Sequence, residues 1–120
     1  MALQLVKLAG TLALATGCVH FANMLSIRYL DASNVFLSAA KLCLFAIPLM
    51  YISAVGFSVY YGSGAKQLPY VSLVLVAAGM SAITGIALTF LIQKIAPSPM
   101  QMLGALMLLG GIVLTVLGKR

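Results

Sequence analysis

Few side chains in this sequence can do chemistry. His20 is the only histidine and Asp31 the only acidic residue. Catalysis by paired carboxylates, a nucleophile–base–orienter triad and a metal-ligand cluster each need more such groups than one chain holds. Cys18 and Cys43 lie in or at the edge of apolar runs, without Cys-x-x-Cys spacing or neighbouring ligands, so they read as small buried hydrophobes. The sequence has no glycine-rich phosphate loop. The expectation is a protein that is not an enzyme and that uses no metal and no cofactor.

The remaining polar character is concentrated near the start of the chain. Thr16, His20 and Asn23 follow i, i+4, i+7 spacing, which places them on one helix face with Gly17 beside them. Polar side chains at membrane depth face protein or a water-filled cavity. The stripe is therefore either a substrate- or proton-facing surface or a set of interhelical hydrogen bonds. Lys41 is the one charge that falls inside a stretch of helix-forming, largely apolar sequence. It reads as a lysine snorkelling from the start of a helix, or as a cation lining a cavity and favouring an anionic headgroup. Arg28 and Asp31, three residues apart at a helix end, read as an exposed ion pair of small worth. The substrate-facing candidates are thus Thr16, His20, Asn23 and Lys41.

The elements that must hold these residues are transmembrane helices. Of 120 residues, 63% are hydrophobic and 7% charged, with a mean hydropathy of +1.17. A soluble domain carries about 25% charged residues and leaves much of its surface in water, so it has nowhere to hide this much apolar surface. A spanning helix needs about 20 mostly apolar residues. Four segments qualify: 8–27, 42–61, 69–91 and 99–117. The second is led by the semi-polar stretch 33–41, with Ser33 or Asn34 as a candidate cap. Pro48 lies inside it, a kink that a membrane bundle tolerates. Gly62-Ser-Gly-Ala-Lys-Gln67 reads as a turn closed by Pro69, and Pro97 and Pro99 forbid a continuous helix between the last two segments. Lys7 followed by an apolar run and Ala15-Thr16-Gly17-Cys18 loosely resembles a lipoprotein signal. The residue three before the cysteine is Ala rather than Leu and the run continues past Cys18, so the segment reads as a spanning helix.

The fold class expected is all-α: an integral membrane four-helix bundle, residues 1–120 forming one domain. Short breaks make neighbouring helices antiparallel, with both termini on one side. Lys7, Lys66, Lys119 and Arg120 fall on that side, against Arg28 and Lys94, joined by Lys41 if it lies at the helix end. The bias favours cytoplasmic termini in a cell membrane, read here as a bacterial inner membrane, and is small enough to suit dual topology. The net charge is +6, but the basic residues sit singly at the ends of apolar runs. They meet a lipid bilayer and its headgroups rather than nucleic acid.

Helices 3 and 4 are rich in small residues. Ser72, Ala78, Gly79, Ser81, Ala82 and Gly85 mark helix 3, and Gly104, Gly111 and Gly118 recur every seven residues along helix 4. Small residues let backbones approach closely and drive helix association in lipid. Gly79, Gly104, Gly111 and Gly118 are therefore candidates for helix packing or a dimer contact. The second half also carries a recognisable layout: Leu68-Pro69 opening helix 3, Gly79 ten residues after that proline, and a run from Thr89-Phe-Leu-Ile-Gln-Lys through Pro97-Ser-Pro99 to Gly104, with Gly111-Ile-Val following. Over about 50 residues this resembles the drug/metabolite transporter superfamily, in its EamA-like and small multidrug resistance-like four-helix style.

The resemblance implies one transporter-like repeat that pairs with a second copy or a paralogue and moves a substrate by alternating access. In the small multidrug group the glycine face of helix 4 makes the dimer contact, which would give that role to Gly104 and Gly111. Small multidrug exporters also carry a membrane-embedded glutamate in helix 1. This helix 1 has none, and its polar stripe is Thr16, His20 and Asn23. The expected function is a small transporter or flippase-like protein, handling a lipid-linked or anionic small molecule rather than a cation. Undecaprenyl-linked sugar flippase subunits resemble the chain in helix 4 as well. The alternative from a different class is a non-catalytic accessory subunit of a larger membrane complex, which the small-residue faces would equally serve.

Overall fold

The computed structural model describes residues 2–118, so Lys119 and Arg120 of the charge count lie outside the described residues. The described chain is all-helical, without a strand. Helix α1 spans Ala2–Tyr29, α2 Val35–Gly64, α3 Tyr70–Leu88 and α4 Pro99–Leu117. A π-helical turn, Thr89–Gln93, extends α3. The stretches Val6–Tyr29, Val35–Gly64, Tyr70–Gln93 and Pro99–Leu117 are each long and apolar enough to cross a membrane. At 1.5 Å per residue even α4 reaches about 28 Å, close to a hydrocarbon core of about 30 Å.

Local signals explain most boundaries. The semi-polar lead before residue 42 is itself helical, because Asn34 caps it: its side-chain oxygen accepts from the Leu37 N–H at 3.4 Å. Pro48 sits within an otherwise continuous α2. Its missing N–H leaves one carbonyl of the preceding turn without the usual partner. Pro69 precedes α3 as its N-cap residue. The start of α4 is the most completely specified. Ser98 Oγ accepts from the Gln101 N–H at 3.3 Å, Gln101 Oε1 accepts from the Ser98 N–H at 2.8 Å, and Pro99 takes the first helical position. Between the π turn and α4, Lys94 adopts φ 57°, a left-handed backbone that is uncommon for a residue with a Cβ.

The α1–α2 loop is tied by Asp31. Its carboxylate accepts from the Ser33 hydroxyl at 2.7 Å and from the Ser33 N–H at 2.8 Å, while its own N–H donates to Ser38 Oγ at 2.9 Å. Arg28, expected as the partner of Asp31, instead lies over the Tyr29 ring, 5.7 Å from its centroid.

The helices stand side by side in the order α2–α1–α3–α4. They form a slab of 53 × 34 × 21 Å. Helix α1 is flanked by α2 on one side and α3 on the other, and α4 packs on α3 alone. The core lies toward the end that holds the α2–α3 turn: Leu8, Leu12, Tyr60, Leu73 and Ala77 are buried there. The Tyr60 hydroxyl is satisfied by donating to the Leu73 carbonyl at 3.0 Å. Close approach of α1 and α2 depends on Gly56, where an added Cβ would lie 2.8 Å from Ala15 Cβ and 3.3 Å from the Thr11 carbonyl oxygen.

Away from these contacts much of the molecule's surface is apolar and uncovered. Its accessible surface is 8319 Å², against about 6,200 Å² for a folded soluble monomer of this mass. Phe36 is 91% exposed, Phe45 84% and Met100 77%, and no residue of α4 is buried. A surface of this kind is compatible with a multi-pass membrane protein, whose outer faces meet acyl chains.

Two outcomes follow from this packing. Gly56→Val should lower stability in detergent by about 1–3 kcal/mol, because the overpacked seam cannot relax without moving a backbone. Gly62→Ala, at a position with nothing within 4 Å, should stay within about 0.5 kcal/mol of the parent. Unfolding in mixed micelles measures both. The second concerns Asp31, whose carboxyl is held below the usual carboxylate range first by the Ser33 hydroxyl and then by the Ser33 N–H. The stabilisation it gives the loop is full above the ordinary carboxylate pKa and is lost as pH falls through the depressed native value. Ser33→Ala should move the carboxyl back up toward the ordinary value, read from the side-chain carbon-13 shift against pH.

Candidate functional site

The four substrate-facing candidates fall in three places. Thr16 is buried between α1 and α3, where its hydroxyl lies 2.9 Å from the Leu12 carbonyl and 3.1 Å from Thr84 Oγ1. Thr84 in turn donates to the Met80 carbonyl at 2.7 Å. Thr16 therefore joins two helices through a short hydroxyl chain, an interaction that averages about 0.6 kcal/mol between membrane helices. His20, one turn on, faces the same helix: its Nε2 lies 2.7 Å from the Ser81 carbonyl oxygen and 3.0 Å from Ser81 Oγ. Asn23, at the next turn, is exposed. Lys41 is also exposed and lines a separate cavity of about 270 Å³ at the α1–α2 loop, with Tyr29, Asp31 and Ser38.

His20 alone of the four reaches a cleft between α3 and α4. This space of about 640 Å³ opens where α4 diverges from α3. Helix α3 contributes Ala78, Ser81, Ala82 and Gly85, the π turn Thr89, and α4 Gln101, Gly104 and Ala105. The loop carrying Pro97 closes one end. The cleft exists because the facing side chains are small: alanines and glycines on both walls leave the space that leucines would fill. Its lining carries no charged side chain, and its polar groups are His20, Ser81, Thr89 and Gln101.

The His20 tautomer follows from its partner: a carbonyl oxygen only accepts, so in the neutral ring Nε2 carries the proton donated to Ser81 and Nδ1 is the acceptor. The ring edge packs against Gly85 of the same helix, where a Cβ would meet Cε1 at 3.0 Å, Nε2 at 3.3 Å and Nδ1 at 3.4 Å. A fixed imidazole with one donor committed and one acceptor left suits hydrogen bonding to a polar group that enters an apolar cleft. Among the described residues no three His, Cys, Asp or Glu side chains gather as a metal site. Both cysteines are free thiols, Cys18 buried and Cys43 exposed.

The glycines of helices 3 and 4 also separate. Gly79 is covered by Ile112 of α4, with no room for a Cβ. It is the point where α4 presses on α3. Gly104 lines the cleft, and neither it nor Gly111 has anything within 4 Å of an added Cβ. Gly118 caps the end of α4 and meets only the Leu114 carbonyl of its own helix, at 3.0 Å.

Sequence reasoning overlooked Thr84 and Gln101 and read Ser81 and Gly85 only as packing residues. A signal for two of them exists. Ser81 and Thr84 are polar and three apart on α3, as Thr16 and His20 are four apart on α1, so each pair shares one face of its helix. Gln101 is hidden by its capping role, since the carboxamide that closes the capping box also faces the cleft.

In the protein as folded, nitrogen-15 shifts of the neutral His20 ring should report a proton on Nε2. Gly85→Ala should displace the ring from Ser81 and mix the two tautomers, while Gly110→Ala, with open space around it, should leave the signal unchanged. Comparison with known proteins adds no assignment: no family model, no curated protein and no solved structure matches this chain.

Proposed function

We propose that this chain is a multi-pass membrane transporter or flippase-like protein of the drug/metabolite transporter type, acting as a dimer by alternating access. The observation that carries the reading is the uncharged cleft between α3 and α4, with the pinned His20 ring in its wall and Gln101 at its mouth. An amphiphile with a polar head and an apolar tail fits such a lining: the head finds Nδ1 of His20, the Ser81 and Thr89 hydroxyls and the Gln101 carboxamide, and the tail lies against alanines and isoleucines. The lining offers no carboxylate to an organic cation, so the substrate class is lipid-linked or otherwise amphiphilic, neutral or anionic. The bacterial inner membrane, with both termini cytoplasmic or with dual topology, is the setting this reading assumes.

The way α4 is held supports movement. It is joined to the rest through a π turn, a left-handed Lys94 and two prolines, and rests on α3 alone. Elements of this kind sit at the low end of a protein's local stability. Gly104 and Gly111, unpartnered within one chain, supply the close-approach surface that a second copy or a paralogue would use. The same free surface would serve the accessory-subunit reading, and transport decides between them.

In proteoliposomes the protein should move a labelled polyprenyl-phosphate sugar faster than empty vesicles do. Ala82→Leu, which fills the cleft, should cut the flux at least tenfold with an unchanged melting temperature. No flux of lipid-linked, anionic or cationic probes, together with a stably co-purifying larger partner, would replace the transporter with the accessory subunit.

A further inference from the structure

A second cavity, of about 540 Å³, opens between α1 and α2 at the end opposite the Asp31 loop. Its walls are two matched rows. Gln4, Lys7 and Thr11 project from successive turns of α1, and Ser63, Lys66 and Gln67 from the end of α2 and the turn after it. Gln67 Nε2 donates to Gln4 Oε1 at 3.4 Å across the gap, which joins the two rows at the outer end. Thr11 spends its proton on the Lys7 carbonyl at 2.8 Å. The ammonium groups of Lys7 and Lys66, the Ser63 hydroxyl and the Gln4 carboxamide N–H groups are hydrogen-bond donors that line the cavity.

Lys7 and Lys66 line one cavity and make it electropositive, which favours an anion there. The chain does not provide one from its side chains. The sole acidic residue, Asp31, is separated from Lys7 by most of α1, roughly 35 Å of helical rise. Charges that far apart are screened at physiological ionic strength, where the Debye length is about 8 Å. The cavity also lies where the apolar stretches Val6–Tyr29 and Val35–Gly64 meet their polar margins, the depth at which a bilayer presents phosphates.

We infer that the Lys7–Lys66 cavity is a binding site for a phosphate-bearing anion, filled in the membrane by the headgroup of an anionic phospholipid. A phosphodiester oxygen accepts from both ammonium groups and from Ser63, and the acyl chains run down the apolar outer faces of α1 and α2. A zwitterionic headgroup fits less well, because its own ammonium meets the two lysines. The inference rests on the membrane reading above and not on transport. The site is distinct from the His20 cleft, which lies against α3 and α4.

The test is equilibrium binding to the purified full chain in a neutral detergent, by native mass spectrometry and thermal shift, with phosphatidylglycerol, phosphatidylcholine and inorganic phosphate as separate probes. Phosphatidylglycerol should bind at least tenfold more tightly than phosphatidylcholine. Lys7→Gln and Lys66→Gln should each weaken it at least fivefold, Lys7→Arg and Lys66→Arg should largely retain it, and Lys94→Gln should leave it unchanged. Inorganic phosphate that protects as well as the lipid, with the same lysine dependence, would support the anion site and make free phosphate its source. Equal binding of the two lipids, or an equal loss with Lys94→Gln, would overturn the site, since the effect would then be general positive charge. Flux is not part of the measurement, so failure here leaves the transport proposal standing, and failure of transport leaves this one standing.

Discussion

The close approach of α1 and α2 at Gly56 is the contact on which the rest of this structure depends. Water supplies no force between apolar helices in lipid, so association relies on packing and on interhelical hydrogen bonds. At Gly56 the backbone of α2 comes against Ala15 and the Thr11 carbonyl of α1. Buried Ser53 and Ala46 lie on the same helix. This seam fixes α1 as the central helix. With α2 on one flank, the other flank of α1 presents Thr16 and His20 to α3, and the Thr84 and Ser81 partners complete that second junction.

Packing then thins across the slab. Near the α2–α3 turn, leucines and Tyr60 close a real core. At α4 no residue is buried, and the helix packs on α3 alone, with Ile112 on Gly79. The same kind of residue produces both effects. A small side chain opposite another helix permits close contact where the backbones converge, and leaves a void where they diverge. Gly79 does the first, and Ala82, Gly85 and Gly104 do the second a turn or so away. The cleft is thus the continuation of a packing seam past the point where the helices separate, and His20 is the one group of α1 that reaches into it.

The polar groups divide by charge as well as by place. The His20 cleft has no charged lining, whereas the lysines sit at the margins of the apolar helices. That division follows from solvation: an unpaired ammonium is costly at the depth of the acyl chains and cheap at the headgroups, so Lys7 and Lys66 are held outward while neutral donors and acceptors are kept inside.

Much of this was legible in the sequence. Four apolar helices, their antiparallel succession and the breaks at Asp31, Gly62–Gln67 and Pro97–Pro99 follow from composition and from capping and proline chemistry, which act within a few residues of the chain. The start of α4 is visible for the same reason, because Ser98, Pro99 and Gln101 satisfy one another locally. The faces were not legible. Helices that are apolar nearly all round carry no stripe to say which side meets protein and which meets lipid. The sequence therefore places Thr16, His20 and Asn23 on one face but does not say where that face is covered. Only the tertiary structure decides that Thr16 is buried in a junction, that His20 stands at a cleft, that Asn23 is exposed and that Lys41 belongs to another cavity. It decides this because those positions depend on how closely two distant backbones approach, a distance set at Gly56 and Gly79 and encoded in no local pattern.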